Sequence, residues 1–103
     1  DEEYSLAVTI AGGDGVIALI GQAYPKEFST IVQLGFEGKV KDAYKIHNKL
    51  VEITRLIFAE GNPSGIKTIL AEMGIIKNYL RLPLVAASEG LQEKIKAEMK
   101  TLL

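Results

Sequence analysis

Gly12-Gly13-Asp14-Gly15-Val16-Ile17-Ala18-Leu19-Ile20-Gly21 decides how this chain is read. Between the glycines every residue from Val16 to Ile20 is apolar, and Val16, Ile17 and Ile20 are β-branched. That pattern suits a strand buried on both faces, of the kind found in a parallel sheet covered by helices. Each buried N–H and C=O of such a strand needs a partner on a neighbouring strand. No other stretch of the sequence is a strand of similar quality. The expectation is therefore an α/β protein of which this chain holds one strand, 15–20, and a chain that is mostly α-helical when taken alone.

Working outward, residues 2–11 read as a short helix, with Glu2 and Glu3 in the first turn where the helix dipole favours negative charge. Gly12-Gly13 stops it. Past the strand, Pro25 opens a second helix at a position where its missing N–H costs nothing; Phe28, Ile31, Val32 and Phe36 form its apolar face and Gly38 ends it. Residues 39–60 read as one long amphipathic helix, with Val40, Ala43, Tyr44, His47, Leu50, Val51, Thr54, Ile57 and Phe58 recurring at three- and four-residue steps. A break at 61–65 precedes a helix carrying Ile66, Ile69, Leu70 and Met73 and stopping at Gly74. Residues 75–84 form an apolar connector, expected to lie pressed against other helices. Ser88 caps a last helix presenting Leu91, Ile95, Met99 and Leu102. The expected division is a β/α unit over 1–38 (helix, strand 15–20, helix) and a three-helix extension over 39–103.

Composition narrows the function. The 103 residues are 48% hydrophobic, enough for a core, and carry a net charge of −1 with no basic stripe, so no nucleic-acid partner is expected. There is no cysteine and only one histidine, which removes disulfides and thiolate zinc sites and leaves no expected metal or cofactor site. No apolar run approaches the roughly 18–20 residues that cross a bilayer, so no membrane span is expected. Asp1-Glu2-Glu3 is acidic and does not read as a secretory leader. A start without Met beside an orphan strand fits a piece trimmed from a longer protein.

Candidate sites are few. Gly12, Gly13 and Gly15 precede a strand, whereas nucleotide-binding glycine loops follow one, so they read as a cap and a turn. The turn Gly21-Gln22-Ala23-Tyr24-Pro25 lies past the strand's carboxyl end, where β/α barrels place their substrates. Gly21 would admit a ligand to the backbone and Gln22 or Tyr24 could bond it; an ordinary connection is the competing reading. His47 lies on the apolar stripe of the long helix and reads as a packed residue with one nitrogen satisfied. Lys39, Lys41, Lys45, Lys49, Lys94, Lys96 and Lys100 decorate solvated helix faces. No nucleophile, paired carboxylates or desolvated lysine accompanies the strand, so these residues alone do not make a catalyst.

The stretch 12–25 (Gly-Gly-Asp-Gly-Val-Ile-Ala-Leu-Ile-Gly-Gln-Ala-Tyr-Pro) resembles the eighth strand and following turn of the dihydrodipicolinate synthase/N-acetylneuraminate lyase family. Phe58-Ala59-Glu60-Gly61-Asn62-Pro63 is similar to that family's F-x-E-x-N-P segment. Ile66-Lys67 with Leu70-Ala71-Glu72-Met73-Gly74-Ile75, and then Leu80-Arg81-Leu82-Pro83-Leu84, match two further segments in order and spacing. The resemblance implies the C-terminal part of a (β/α)₈ TIM barrel, its last β/α unit plus three C-terminal helices, beginning just after the seventh strand. It implies a cytoplasmic, homotetrameric lyase that holds pyruvate as a Schiff base on a lysine and condenses it with aspartate semialdehyde, in lysine biosynthesis. That lysine and its tyrosine partner would belong to earlier strands, so no catalytic residue is expected here and the piece alone would be inactive.

Two positions carry over as substrate-binding: Ile17, whose backbone carbonyl would face pyruvate, and Asp1, at the acidic loop on the pocket rim. Gln22, Ile20 and Ala18 depart from the usual Asn, Thr and Ser. The Val16-Ile17 pair and the Arg81–Leu84 connector favour the synthase branch. The alternatives are another pyruvate aldolase of the family, acting on a sugar acid, and a free-standing helical interaction module whose short strand pairs with itself or a partner.

Overall fold

Glycine and proline punctuate the helices where the sequence says they should. A computed structural model of the chain describes residues 2–102. After a single 3₁₀ turn at Glu2–Tyr4 come α1 (Ser5–Ile10), a second 3₁₀ turn (Ile20–Gln22), α2 (Pro25–Phe36), α3 (Val40–Phe58), α4 (Ser64–Glu72) and α5 (Glu89–Thr101). Gly38 closes α2 with φ +73°. Its N–H donates to the carbonyl of Gly35 and the N–H of Lys39 to that of Leu34, so two otherwise orphaned carbonyls are satisfied. Gly12 closes α1 by the same pair of bonds, to Thr9 and Val8. The Asn62–Pro63 and Leu82–Pro83 peptides are cis.

The residues group into two compact units, one up to Val51 and one from Glu52. In the first, Leu6, Ile20, Ala23, Ile31, Ala43 and Leu50 are buried. Burial of a side chain the size of Leu or Ile contributes about 1.5–3 kcal/mol. α1 and α2 approach closely because Gly35 has no side chain: a Cβ there would lie 3.0 Å from Thr9 Cγ2 and 3.1 Å from Leu6 Cδ1. Thr9 is itself buried, its hydroxyl donating to the Ser5 carbonyl at 2.8 Å.

In the second unit Ile53, Ile57, Ile66, Ile69, Leu70, Leu91 and Ile95 are buried at three- and four-residue steps, while Phe58 and Met73, expected on the same faces, are exposed at the helix ends. Gly65 lets α4 touch α3 backbone to backbone, since a Cβ there would stand 2.2 Å from the Ile57 carbonyl oxygen. Ser88 caps α5 as expected, its Oγ accepting from the Leu91 N–H at 3.3 Å.

Two expectations are corrected. The strand over 15–20 is not formed. Residues 13–18 run outside any helix or ladder, and Ile20 turns into the second 3₁₀ turn. A lone strand has nothing to pair with, and among the described residues no hydrogen bond reaches the backbone of residues 14–18. The connector is not pressed against helices either. Ile75, Tyr79, Leu82, Leu84 and Val85 are exposed, Leu82 to 82%. Hydrophobicity shows that a surface wants covering; it does not supply the cover.

Candidate functional site

The unpaired segment and the helix after it enclose an open cleft of about 530 Å³ in the first unit, lined by Gly15, Val16, Ala18 and Gly21 on one side and Phe28, Val32 and Gln33 of α2 on the other. A Cβ on Gly21 would meet the Phe28 ring at 3.8 Å, an ordinary van der Waals contact, so the cleft has room for a small side chain there. Ile17 points away from the chain altogether, its side chain wholly in solvent. An isoleucine in the middle of an apolar pentad and fully exposed is the mark of a surface made to be covered. The turn residues differ among themselves: Gln22 is exposed and Tyr24 half-buried, so of the residues singled out in this turn only Gly21 lines the cleft. Asp1 lies outside the described residues.

The near end of the cleft is tied down by a contact across seventeen residues. The Glu2 carboxylate accepts from the backbone N–H of Leu19 and, at 2.8 Å, from that of Ile20. These amides open the 3₁₀ turn Ile20–Gln22 and would otherwise be orphans of its first turn. The segment holding Glu2 is held in turn by α3, where His47 Nε2 donates to the Glu3 carbonyl at 2.8 Å. A carbonyl only accepts, so the proton sits on Nε2, and Nδ1 is left 3.2 Å from the Asn48 side-chain oxygen. The Tyr44 ring meets the imidazole edge-on at 5.1 Å. His47 therefore is a positioning group rather than a ligand, with one nitrogen satisfied as expected, since an unprotonated Nδ1 finds no donor in the Asn48 oxygen.

Glu2 was legible only as a dipole-favoured residue. Its reach to Leu19 and Ile20 has no local signature, because nothing in the spacing of residues 2 and 19 signals contact.

The lysines behave as solvated groups. Lys39 pairs with Glu37 at 3.3 Å, Lys45 with Asp42 at 3.9 Å and Lys96 with Glu72 at 3.8 Å, all at exposed positions worth little individually. Hydrogen bonding by Gln33, and then by Lys39, holds the Glu37 carboxyl below the ordinary glutamate range. In the second unit Glu60 accepts from both the hydroxyl and the backbone N–H of Ser88, which depress its carboxyl in the same direction. Lys67 Nζ donates to the Tyr79 carbonyl at 2.6 Å and Ser64 Oγ to that of Val85 at 2.8 Å, tying the middle of the exposed connector and the residue just past it to α4. Among the described residues no group of three His, Asp or Glu could hold a metal, and no helix is long and apolar enough to cross a membrane.

Comparison with known proteins gives this geometry a context. The dihydrodipicolinate synthetase family matches residues 1–102. The chain is 43% identical over 103 residues to the 4-hydroxy-tetrahydrodipicolinate synthase of Karelsulcia muelleri, covering all of this chain and 35% of that protein. It superposes on the crystal structure of dihydrodipicolinate synthase from Thermotoga maritima with a TM-score of 0.94 at 35% identity, over 100% of this chain and 36% of that one. On the chloride-inhibited dihydrodipicolinate synthase of Acinetobacter baumannii, solved with pyruvate, the TM-score is 0.95 at 28% identity, over 99% of this chain and 35% of the other. The chain thus spans about a third of the length of the relatives it matches.

Proposed function

The chain belongs to the dihydrodipicolinate synthetase family, and on that premise we propose that it works as the last β/α unit (1–38) and the three-helix extension (39–103) of a (β/α)₈-barrel lyase that condenses pyruvate with aspartate semialdehyde. The amine of a lysine outside these residues attacks the pyruvate C2 carbonyl and expels water, forming an imine. Loss of a C3 proton gives the enamine, whose carbon attacks the aldehyde carbon of the acceptor. The Ile17 backbone carbonyl faces the bound keto acid. A backbone carbonyl is an acceptor only, so it suits the protonated nitrogen of the adduct and not the carboxylate. Asp1 stands at the rim of the same pocket. The protein works in the cytoplasm, in lysine biosynthesis, as a homotetramer.

The observation that carries this reading is the stretch 14–18, which leads into the strand-like apolar run Val16–Ile20 and whose backbone has no hydrogen-bond partner among the described residues, in a chain whose family match runs nearly end to end. Borohydride reduction with pyruvate, read by intact mass, tests it. The 103-residue chain should gain no adduct, whereas the full-length protein should gain one pyruvate. A stable adduct on any lysine of this chain would refute the assignment. Steady-state rates of the full-length protein with aspartate semialdehyde against N-acetylneuraminate decide the acceptor, on which Gln22, Ile20 and Ala18 depart from the usual residues.

A further inference from the structure

The contact that ties residues 2–4 to residues 19–20 is unlike the other polar contacts of the first unit. It spends both carboxylate oxygens of Glu2 on two successive backbone amides, and one of those amides belongs to Ile20, which is buried. Among the described residues neither amide has a backbone acceptor. Upstream of them the chain is unsupported: residues 14–18 make no backbone hydrogen bond, so the direction of the Ile17 peptide depends on where the chain is pinned next, two residues later. The pin is not loose at its own base, because His47 on α3 holds the Glu3 carbonyl.

We propose that Glu2 is a positioning residue: by clasping the Leu19 and Ile20 amides it fixes the backbone path at Ile17 and so aims the Ile17 carbonyl. This inference rests on the pyruvate reading above for what the carbonyl is aimed at, and on the geometry alone for the clasp. Charge is part of the device. A carboxylate presents two acceptors to two N–H groups, and hydrogen bonds to an ionised acceptor are roughly twice as strong as neutral ones. A glutamine has one acceptor oxygen and turns an N–H₂ donor toward the second amide, where donor faces donor.

The test uses the full-length protein with Glu2→Gln and, as a milder change, Glu2→Asp, which keeps the charge and shortens the reach by one methylene. Amide hydrogen exchange reads the clasp directly. In Glu2→Gln the Leu19 and Ile20 amides should exchange about tenfold faster while the amides of α3 and α5 keep their rates, tenfold being the loss of one charge-assisted bond. The KM for pyruvate should rise about tenfold with kcat within about twofold, because aiming a binding carbonyl acts on the bound keto acid and not on the lysine. Glu2→Asp should fall between wild type and Glu2→Gln on both readouts, and it carries the test if Glu2→Gln does not fold. Unchanged exchange at Leu19 and Ile20 overturns the clasp. Faster exchange with an unchanged pyruvate KM overturns the positioning role. If the unmodified protein traps no pyruvate, the pyruvate reading fails on its own, and exchange at the two amides still decides the clasp.

Discussion

Gly65 and Ile57 touch where no side chain fits. A Cβ on Gly65 would lie 2.2 Å from the Ile57 carbonyl oxygen and 2.4 Å from its Cα, both backbone atoms that cannot swing aside. Helix propensity alone would reward Gly65→Ala by up to about 1 kcal/mol, so the sign of the change is a direct contest. We expect the clash to win, with a net loss of roughly 1–3 kcal/mol, read as a lower urea midpoint for the 103-residue chain.

Ser88 offers the opposite case, a residue whose role was legible beforehand. Ser88→Ala should cost about 1 kcal/mol through the lost cap. Its second partner was not legible. Glu60 lies twenty-eight positions away, and its carboxylate takes both the Ser88 hydroxyl and N–H. Those bonds favour the ionised carboxylate, so its folded pKa lies below the unfolded one. The stability it contributes is therefore present above the ordinary glutamate value of about 4.3 and is lost as pH falls through the lower folded value. Glu60→Gln should flatten the acid side of a stability-against-pH curve below about pH 4.3, with the difference from wild type largest at neutral pH and vanishing in acid. An unaltered acid limb would refute the assignment.

At the scale of the element, the helices were read well because each carries its own stop. Gly12, Gly38 and Gly74 end α1, α2 and α4 and Ser88 opens α5 by bonds to near neighbours, while Pro25 opens α2 where its missing N–H costs nothing. Residues 15–20 show the limit of that method. Their composition is that of a strand, but a strand is a relation between two stretches of backbone, and the second is not among the described residues. The exposed connector taught the same lesson, since Tyr79 and Leu82 advertise burial that their own chain does not provide. An extended apolar segment with free N–H and C=O groups is a template for another copy. The 103-residue chain should therefore associate at micromolar concentration by light scattering. Ile17→Lys, which sets a charge in the middle of that edge and leaves the helices untouched, should return it toward a monomer.

For the molecule as a whole, the family match and the open surface are two views of one shortage. The chain spans about a third of its relatives' length, and large apolar side chains from Ile17 to Val85 stand in water. The 103-residue chain should bind a hydrophobic dye such as ANS while keeping its helical far-ultraviolet signal, and Leu82→Ser should lower the dye signal without changing the helix content. Dye binding at the level of a typical compact domain would argue that the apolar face is covered.

The bare stretch 14–18 also sets how the chain would die. Proteases grip their substrates as extended backbone, adding them like a strand to the rim of the cutting site. Helical substrate must first unravel, whereas these residues are already drawn out and unclaimed. Digestion of the 103-residue chain with a broad-specificity protease should sever it here first, leaving α2 to α5 on one long product.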